Sequence, residues 1–198
     1  MQEGRAIMKR VKSSVAANKM EVYFVTSSNE KVREAEEILG IKLKQIKLNL
    51  KEIQSLDVKE VATDKARRAF SIIKKPVIVE DTGLYIESLN GFPGALIKWV
   101  LKTIGNKGLC KIVGRNRKAI AKTCVCFFDG RKCKVFSGNI NGKIAKRPRG
   151  NEGFGWDSIF IPEGYTKTFA ELGTKEKNKI SMRRKAFLKL REFLLRDK

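Results

Sequence analysis

Short apolar runs and helical spacings alternate along the first half of the chain. Glu21 to Thr26 reads as a buried strand, and the polar cluster Thr26 to Asn29 suits a turn and a helix cap. The helical pattern from Glu30 to Leu39 is stopped by Gly40. Ile41 to Leu50 places lysines between Ile41, Leu43, Ile46, Leu48 and Leu50, which predicts a strand with one exposed, basic face. After a loop over 51–57, Val58 to Ile73 predicts a helix with Val61, Ala62, Ala66, Ala69 and Phe70 turned inward. Val77, Ile78 and Val79 form a β-branched strand buried on both faces, which delivers Glu80 and Asp81 to its C-terminal end. Leu84 to Leu89 reads as its continuation beyond a bend at Gly83.

The second half has a different rhythm. Asn90 to Gly94 has the composition of a tight loop, followed by helices over Ala95 to Ile104 and Lys107 to Val113. Ala119 to Phe128 and Cys133 to Ile140 predict a hairpin around Asp129-Gly130, with Gly142 to Ala145 extending the sheet. The glycine-rich aromatic segment Gly153 to Asp157 leads into a short strand, Ser158 to Ile161, and Glu176 to Leu195 predicts a closing helix with a basic outer face. Parallel-type βα units followed by a hairpin predict an α/β fold with a mixed sheet.

Charge adds a partner class. Among 198 residues, 43 Lys and Arg face 21 Asp and Glu, a net charge of +22, which favours polyanions such as nucleic acid or phosphorylated small molecules. The absence of histidine excludes His-dependent triads, HExxH metal sites and an imidazole base, leaving carboxylates, lysines, hydroxyls, cysteines or a metal-bound water. Cys110, Cys124, Cys126 and Cys133 lack zinc spacing and read as reduced, partly buried thiols of a cytoplasmic protein. Apolar runs are too short to cross a bilayer. Residues 1–19 lack the apolar core of a secretory signal and read as a basic, disordered extension or the product of a start placed too far upstream; 20–198 is expected to form one α/β domain.

Several clusters carry candidate chemistry, each with a plainer alternative. Glu80 and Asp81 suit a divalent metal and an activated water, or are a solvated strand end. Thr26, Ser27 and Ser28 with Lys31 at a helix start suit a phosphate, or simply cap the helix; the pattern is not GxxxxGK[ST]. Glu52 is a second metal carboxylate or an exposed loop acid. Phe154-Gly155-Trp156-Asp157 stacks on and reads a base, or is a core aromatic pair. Lys177, Ser181 and Arg184, with Arg183 beside them, share a helix face as phosphate and carbonyl donors, or as a solvated basic face.

Six segments in order resemble the inosine triphosphate pyrophosphatase family: Thr26–Lys31, Val79–Gly83, Leu89–Gly94, Gly153–Asp157, Thr168–Glu171 and Lys177–Arg183. The resemblance runs from about Glu21 to the C-terminus. It implies a two-lobed α/β fold, a mixed sheet flanked by helices with a substrate cleft between the lobes, and a homodimer. It implies Mg²⁺-dependent cleavage of ITP, dITP and XTP between the α- and β-phosphates, releasing pyrophosphate and cleaning the nucleotide pool. It places Asp81 as the water-activating acid that also meets the metal, with Glu52 and Glu80 as further metal acids. It places Lys31, Lys65 and Lys177 on the phosphates and Phe154 on the base. Gly155, Trp156, Asp157, Ser181 and Arg183 line the base pocket, and Thr26, Ser28 and Thr82 complete the substrate contacts. Ser28 stands where the family carries Asn, and Met182 where it carries a His that reads the purine 6-keto group. These departures and the +22 charge leave two alternatives: a weakly active or inactive nucleotide- or nucleic-acid-binding relative, and a pyrophosphatase with altered base choice.

Overall fold

The computed structural model describes residues 22–196. The extension expected over 1–19 and Glu21 of the first strand lie outside them. Strand β1 (Tyr23–Val25) lies between β2 (Lys44–Ile46) and β3 (Val77–Ile86), parallel to both. Helices α1 (Asn29–Leu39) and α2 (Val58–Ile73) make the two crossovers. Strands β5 (Lys118–Phe128) and β6 (Cys133–Ile144) continue the sheet antiparallel to β3, and β7 (Phe160–Pro162) closes it. Two-residue β4 (Pro93–Gly94) pairs with the far end of β3, giving a seven-stranded mixed sheet among the described residues. Helices α3 (Ile97–Thr103) and α4 (Gly105–Ile112) follow β4, and α5 (Phe169–Ile180) and α6 (Met182–Arg196) end the described chain.

The mixed-sheet α/β expectation holds, and four local expectations change. The alternating 41–50 segment buries as predicted but forms a ladder only over Lys44–Ile46, because β1 offers only three residues to pair with. Gly83 is not a bend: β3 runs straight through it. A Cβ there would lie 2.8 Å from Val58 Cγ1 and 2.9 Å from the Gly94 carbonyl carbon, so glycine permits β4 and the start of α2 to approach. Hairpin strand β6 is continuous to Ile144, and Asp129 Oδ1 secures the turn by accepting from the Arg131 and Lys132 amides at 2.8 and 2.7 Å. The closing helix is two helices: Ser181 is extended (φ −61°, ψ 155°), and its hydroxyl accepts from Arg184 N at 3.1 Å to cap α6. Upstream, α5 opens with a capping box in which Thr168 and Glu171 bond each other's backbone amides.

Buried apolar side chains gather in three clusters among the described residues. Ile78, Val125 and Phe127 meet α1 and α6 on one sheet face, while Val77, Val79, Cys124 and Cys126 meet α2 on the other. Leu84, Ile86, Ala119 and Ala121 pack beyond them against α3, α4, Trp156, Phe160 and Phe169. Each fully buried aliphatic side chain contributes about 1.5–3 kcal/mol, so these clusters hold both ends of β3 firmly. Residues 80–83 lie between them. All four cysteines are free thiols, as expected.

Candidate active site

The cleft is made by unequal strand lengths. β1 ends at Val25, paired to Val79, and β4 takes up β3 only at Leu84. Between these points Glu80 to Gly83 have a strand partner on one edge alone, β5. Glu80 and Asp81 are therefore in the middle of a ten-residue strand, not at its end as the apolar run suggested. They still open onto the C-terminal ends of β1 and β2, in a cleft of about 980 Å³. Thr26, Ser28, Lys31, Glu52, Lys65 and Thr82 line one end, and Phe154 to Asp157, Lys177, Met182 and Arg183 line the other.

Strand alternation sends the two acids to opposite faces. Glu80 meets α1 and α6: Arg183 Nε and Nη2 donate to its two oxygens at 2.8 and 2.9 Å, Thr82 Oγ1 donates at 2.8 Å, and Lys31 Nζ lies 3.4 Å away. Burial alone would raise its carboxyl pKa, but the Arg183 guanidinium and the Lys31 ammonium outweigh burial and hold it far below the usual range. Asp81 meets α2, where Lys65 Nζ donates to Asp81 Oδ1 at 3.4 Å and to Glu52 Oε1 at 2.7 Å. Asp81 Oδ2 is buried with no hydrogen-bond partner among the described residues. Burial pushes the Asp81 carboxyl above its ordinary value despite Lys65 and Lys31. At half-exposed Glu52 the balance reverses: burial raises, but Lys65 brings the net shift below the ordinary value.

At the far end, a buried ionic cluster surrounds the Phe154 ring. Lys177 Nζ donates to Asp157 Oδ2 at 2.7 Å and to Glu34 Oε1 at 2.9 Å, and lies 4.6 Å from the ring centroid. Arg183 spans the cluster, bonding Glu34 as well as Glu80, with its guanidinium carbon 5.5 Å from the same ring. Phe154 N donates to Asp157 Oδ2 at 2.9 Å, and Gly153 (φ 81°) leaves no room for a Cβ beside that carboxylate. Asp157 is thus fixed from two sides, and burial raises its pKa despite Lys177.

The expected residues separate here. Ser181 is fully buried and caps α6 without lining the cleft, and Arg184 lines a separate groove on the outer side of β6. The interruption at Ser181 breaks the helix face on which the sequence grouped them with Lys177. Trp156 joins the core with Phe160 and Phe169, and Met182 packs into the same cluster while lining the cleft. Ser28 caps α1 by accepting from Lys31 N at 3.1 Å, while adjacent Asn29 accepts from Gln45 at 3.3 Å. One cleft residue and one buried partner of the cleft's cations escaped the sequence. Glu34 is an acid at a buried position of α1 beside Ala35 and Ile38, a misplaced charge in an apolar stripe that was the available signal. Lys98 lines the cleft at the start of α3, and its charge helps lower the Glu52 pKa.

Comparison with known proteins identifies the family. The Ham1 family model matches residues 22–193. The chain belongs to the Ham1 family. It is 45% identical over 179 residues to the dITP/XTP pyrophosphatase of Thermococcus kodakarensis, covering 88% of this chain and 95% of that one. It is 43% identical to the inosine triphosphate pyrophosphatase of Yarrowia lipolytica, covering 88% and 96%. A solved Ham1 protein from Coxiella burnetii superposes with a TM-score of 0.74 at 28% identity, over 89% of this chain and 99% of that one. The Ham1 cleft thus carries two carboxylates on opposite faces of one strand, one saturated by Arg183 and one with an open oxygen. No three His, Cys, Asp or Glu side chains converge among the described residues. The orphaned Asp81 Oδ2, with Glu52 held by the same ammonium, would suit Mg²⁺, which takes one or two carboxylates and completes its shell with phosphate oxygens and water. Asp81 and Glu52 fit such an ion. Glu80, expected as a third metal acid, has both oxygens committed to Arg183 and is better placed to anchor that guanidinium.

Proposed function

We propose that this Ham1 protein hydrolyses nonstandard purine nucleoside triphosphates (ITP, dITP and XTP) to the monophosphate and pyrophosphate. The observation that carries this is the buried, unpartnered Asp81 Oδ2 in a cleft with lysines at one end and Phe154 at the other. Lys31, Lys65 and Lys98 offset the charge of a triphosphate. Asp81, its basicity raised by burial, takes a proton from the attacking water. Glu52 and Asp81 would hold Mg²⁺, which when bound neutralises charge on the polyphosphate. Phe154 stacks on the base. A 6-keto purine presents an acceptor at O6 and a donor at N1, whereas adenine presents the reverse; the ammonium, guanidinium and carboxylate groups around Phe154 offer both kinds of partner.

One observation favours a second reading within the same chemistry. Met182 lines the cleft and cannot donate a hydrogen bond, so base choice is broader than in relatives with a donor there. Exposed Trp99 (55%) and Ile112 (49%), on α3 and α4, support a homodimer, which sedimentation would test. No helix among the described residues is long and apolar enough to cross a membrane, and a cytoplasmic site of action belongs to the proposal. A panel of ITP, dITP, XTP, GTP, ATP and modified pyrimidine triphosphates, read by pyrophosphate release, tests the assignment. Preference for ITP, dITP and XTP over GTP and ATP supports it; binding of ITP without turnover overturns it.

A further inference from the structure

The Lys65 ammonium occupies the ground that a metal would need. It lies 2.7 Å from Glu52 Oε1 and 3.4 Å from Asp81 Oδ1, bridging two carboxylates that have no other cation within ion-pair distance among the described residues. Its side chain is 15% exposed and comes from the middle of α2, whose neighbouring turns are packed through Val61, Ala62, Ala66 and Ala69. The field around the pair is positive as well: Lys31 and Lys98 both act on Glu52, and Lys31 acts on Asp81. Lys31 is shared with Glu80, 3.4 Å away, while Lys65 sits directly on the Glu52 and Asp81 pair. Free Mg²⁺ approaching the pair would meet the like charge of Lys65 and a filled position. A triphosphate reverses the balance, because its oxygens give the ammonium groups new partners.

We propose that Lys65 is a place-holder that closes the carboxylate pair to free divalent ions and yields it only when polyphosphate arrives. This rests on the reading that Glu52 and Asp81 hold Mg²⁺. In the nucleotide-free protein the ammonium keeps the two acids apart and neutralised. When the nucleotide binds, Lys65 moves to a phosphate oxygen and the carboxylates become free for the ion. Metal and nucleotide are therefore coupled, and by linkage each tightens the other by the same factor. A lysine that only binds phosphate would strengthen nucleotide binding and leave free-metal affinity unchanged. A place-holder weakens free-metal affinity, so its removal has opposite effects on the two ligands.

The test is calorimetric titration of Mg²⁺ into nucleotide-free wild type, Lys65→Met and Lys65→Gln, with circular dichroism to show that each variant is folded. Both variants are expected to bind free Mg²⁺ about tenfold or more tightly than wild type, as removal of a contacting like charge requires. Wild type needs no variant for the complementary arm: an ITP analogue with a non-hydrolysable α–β bridge should raise its Mg²⁺ affinity by a similar factor, beyond the affinity of the same analogue for Mg²⁺ without protein. Asp81→Asn should abolish that rise. Equal or weaker Mg²⁺ binding in both Lys65 variants overturns the place-holder, and if Asp81→Asn still abolishes the nucleotide-dependent rise, the metal assignment stands without it. An undiminished rise in Asp81→Asn overturns the metal assignment itself, and the inference with it.

Discussion

Replacing Arg183 by methionine removes the cation on which two buried acids converge while keeping an unbranched side chain in the core. Arg183 is 2% exposed; it holds both oxygens of Glu80 and one of Glu34. Breaking a buried ion pair from one side costs about 3–5 kcal/mol, because the remaining charge is left uncompensated. Here each acid keeps one cation: Lys31 at 3.4 Å from Glu80, and Lys177 at 2.9 Å from Glu34. The lower figure, about 3 kcal/mol, is therefore expected, which is a fall in Tm of roughly 6–12 °C for a chain of this size. The pH dependence has a definite sign. Glu80 is depressed in the folded wild type, so its contribution is complete above its ordinary pKa of 4.5 and is lost as pH falls below that. The variant lacks that contribution, so its deficit is widest near neutrality and narrows in acid. Adding Glu80→Gln should recover about 1–3 kcal/mol relative to additivity. Thermal melts of the two single variants and the double variant, from pH 7 to pH 3, check all three points. A Tm loss under about 2 °C, a deficit independent of pH, or strict additivity would refute the assignment of Arg183 as the cluster's central cation.

Asp81→Asn should lower kcat by about 10²–10⁴-fold while leaving Tm unchanged or raised, since a carboxyl with an elevated pKa is destabilising when ionised. In the metal-free protein the Tm advantage of Asp81→Asn should be present at neutral pH and vanish in acid, because burial raises the Asp81 carboxyl above its ordinary 3.8 and penalises only its ionised form. Phe154→Ala should weaken substrate binding by about 5–150-fold, the worth of one stacked base, read from the KM for ITP. Met182→His should raise the preference for ITP over ATP in kcat/KM by about 5–150-fold, one hydrogen bond's discrimination; an unchanged ratio would sink the second reading.

Much of this molecule is legible in local pattern. The β-branched run at Val77, the Asp129-Gly130 turn and the inward stripe of α2 each follow from side-chain shape and spacing, and each is where periodicity placed it. The cleft segments are also local, so Thr26 to Lys31, Glu80 to Gly83 and Gly153 to Asp157 could be singled out from sequence. What periodicity cannot report is partnership at long range. Glu80 and Arg183 are 103 residues apart, and Glu34 and Arg183 are 149 apart. Nothing near either acid announces its guanidinium. Nor does local pattern give relative strand length: the acids sit in a cleft because β1 stops at Val25 while β3 continues to Ile86. Ser181 shows the same limit, since a capped break between two helices reads as one helix when both flanks are basic and amphipathic.

Purified protein incubated with ITP and Mg²⁺, with products separated by anion-exchange chromatography, tests the central claim most directly. Equimolar IMP and pyrophosphate, lost in Asp81→Asn, is the expected result. IDP with orthophosphate, or intact ITP, would contradict it.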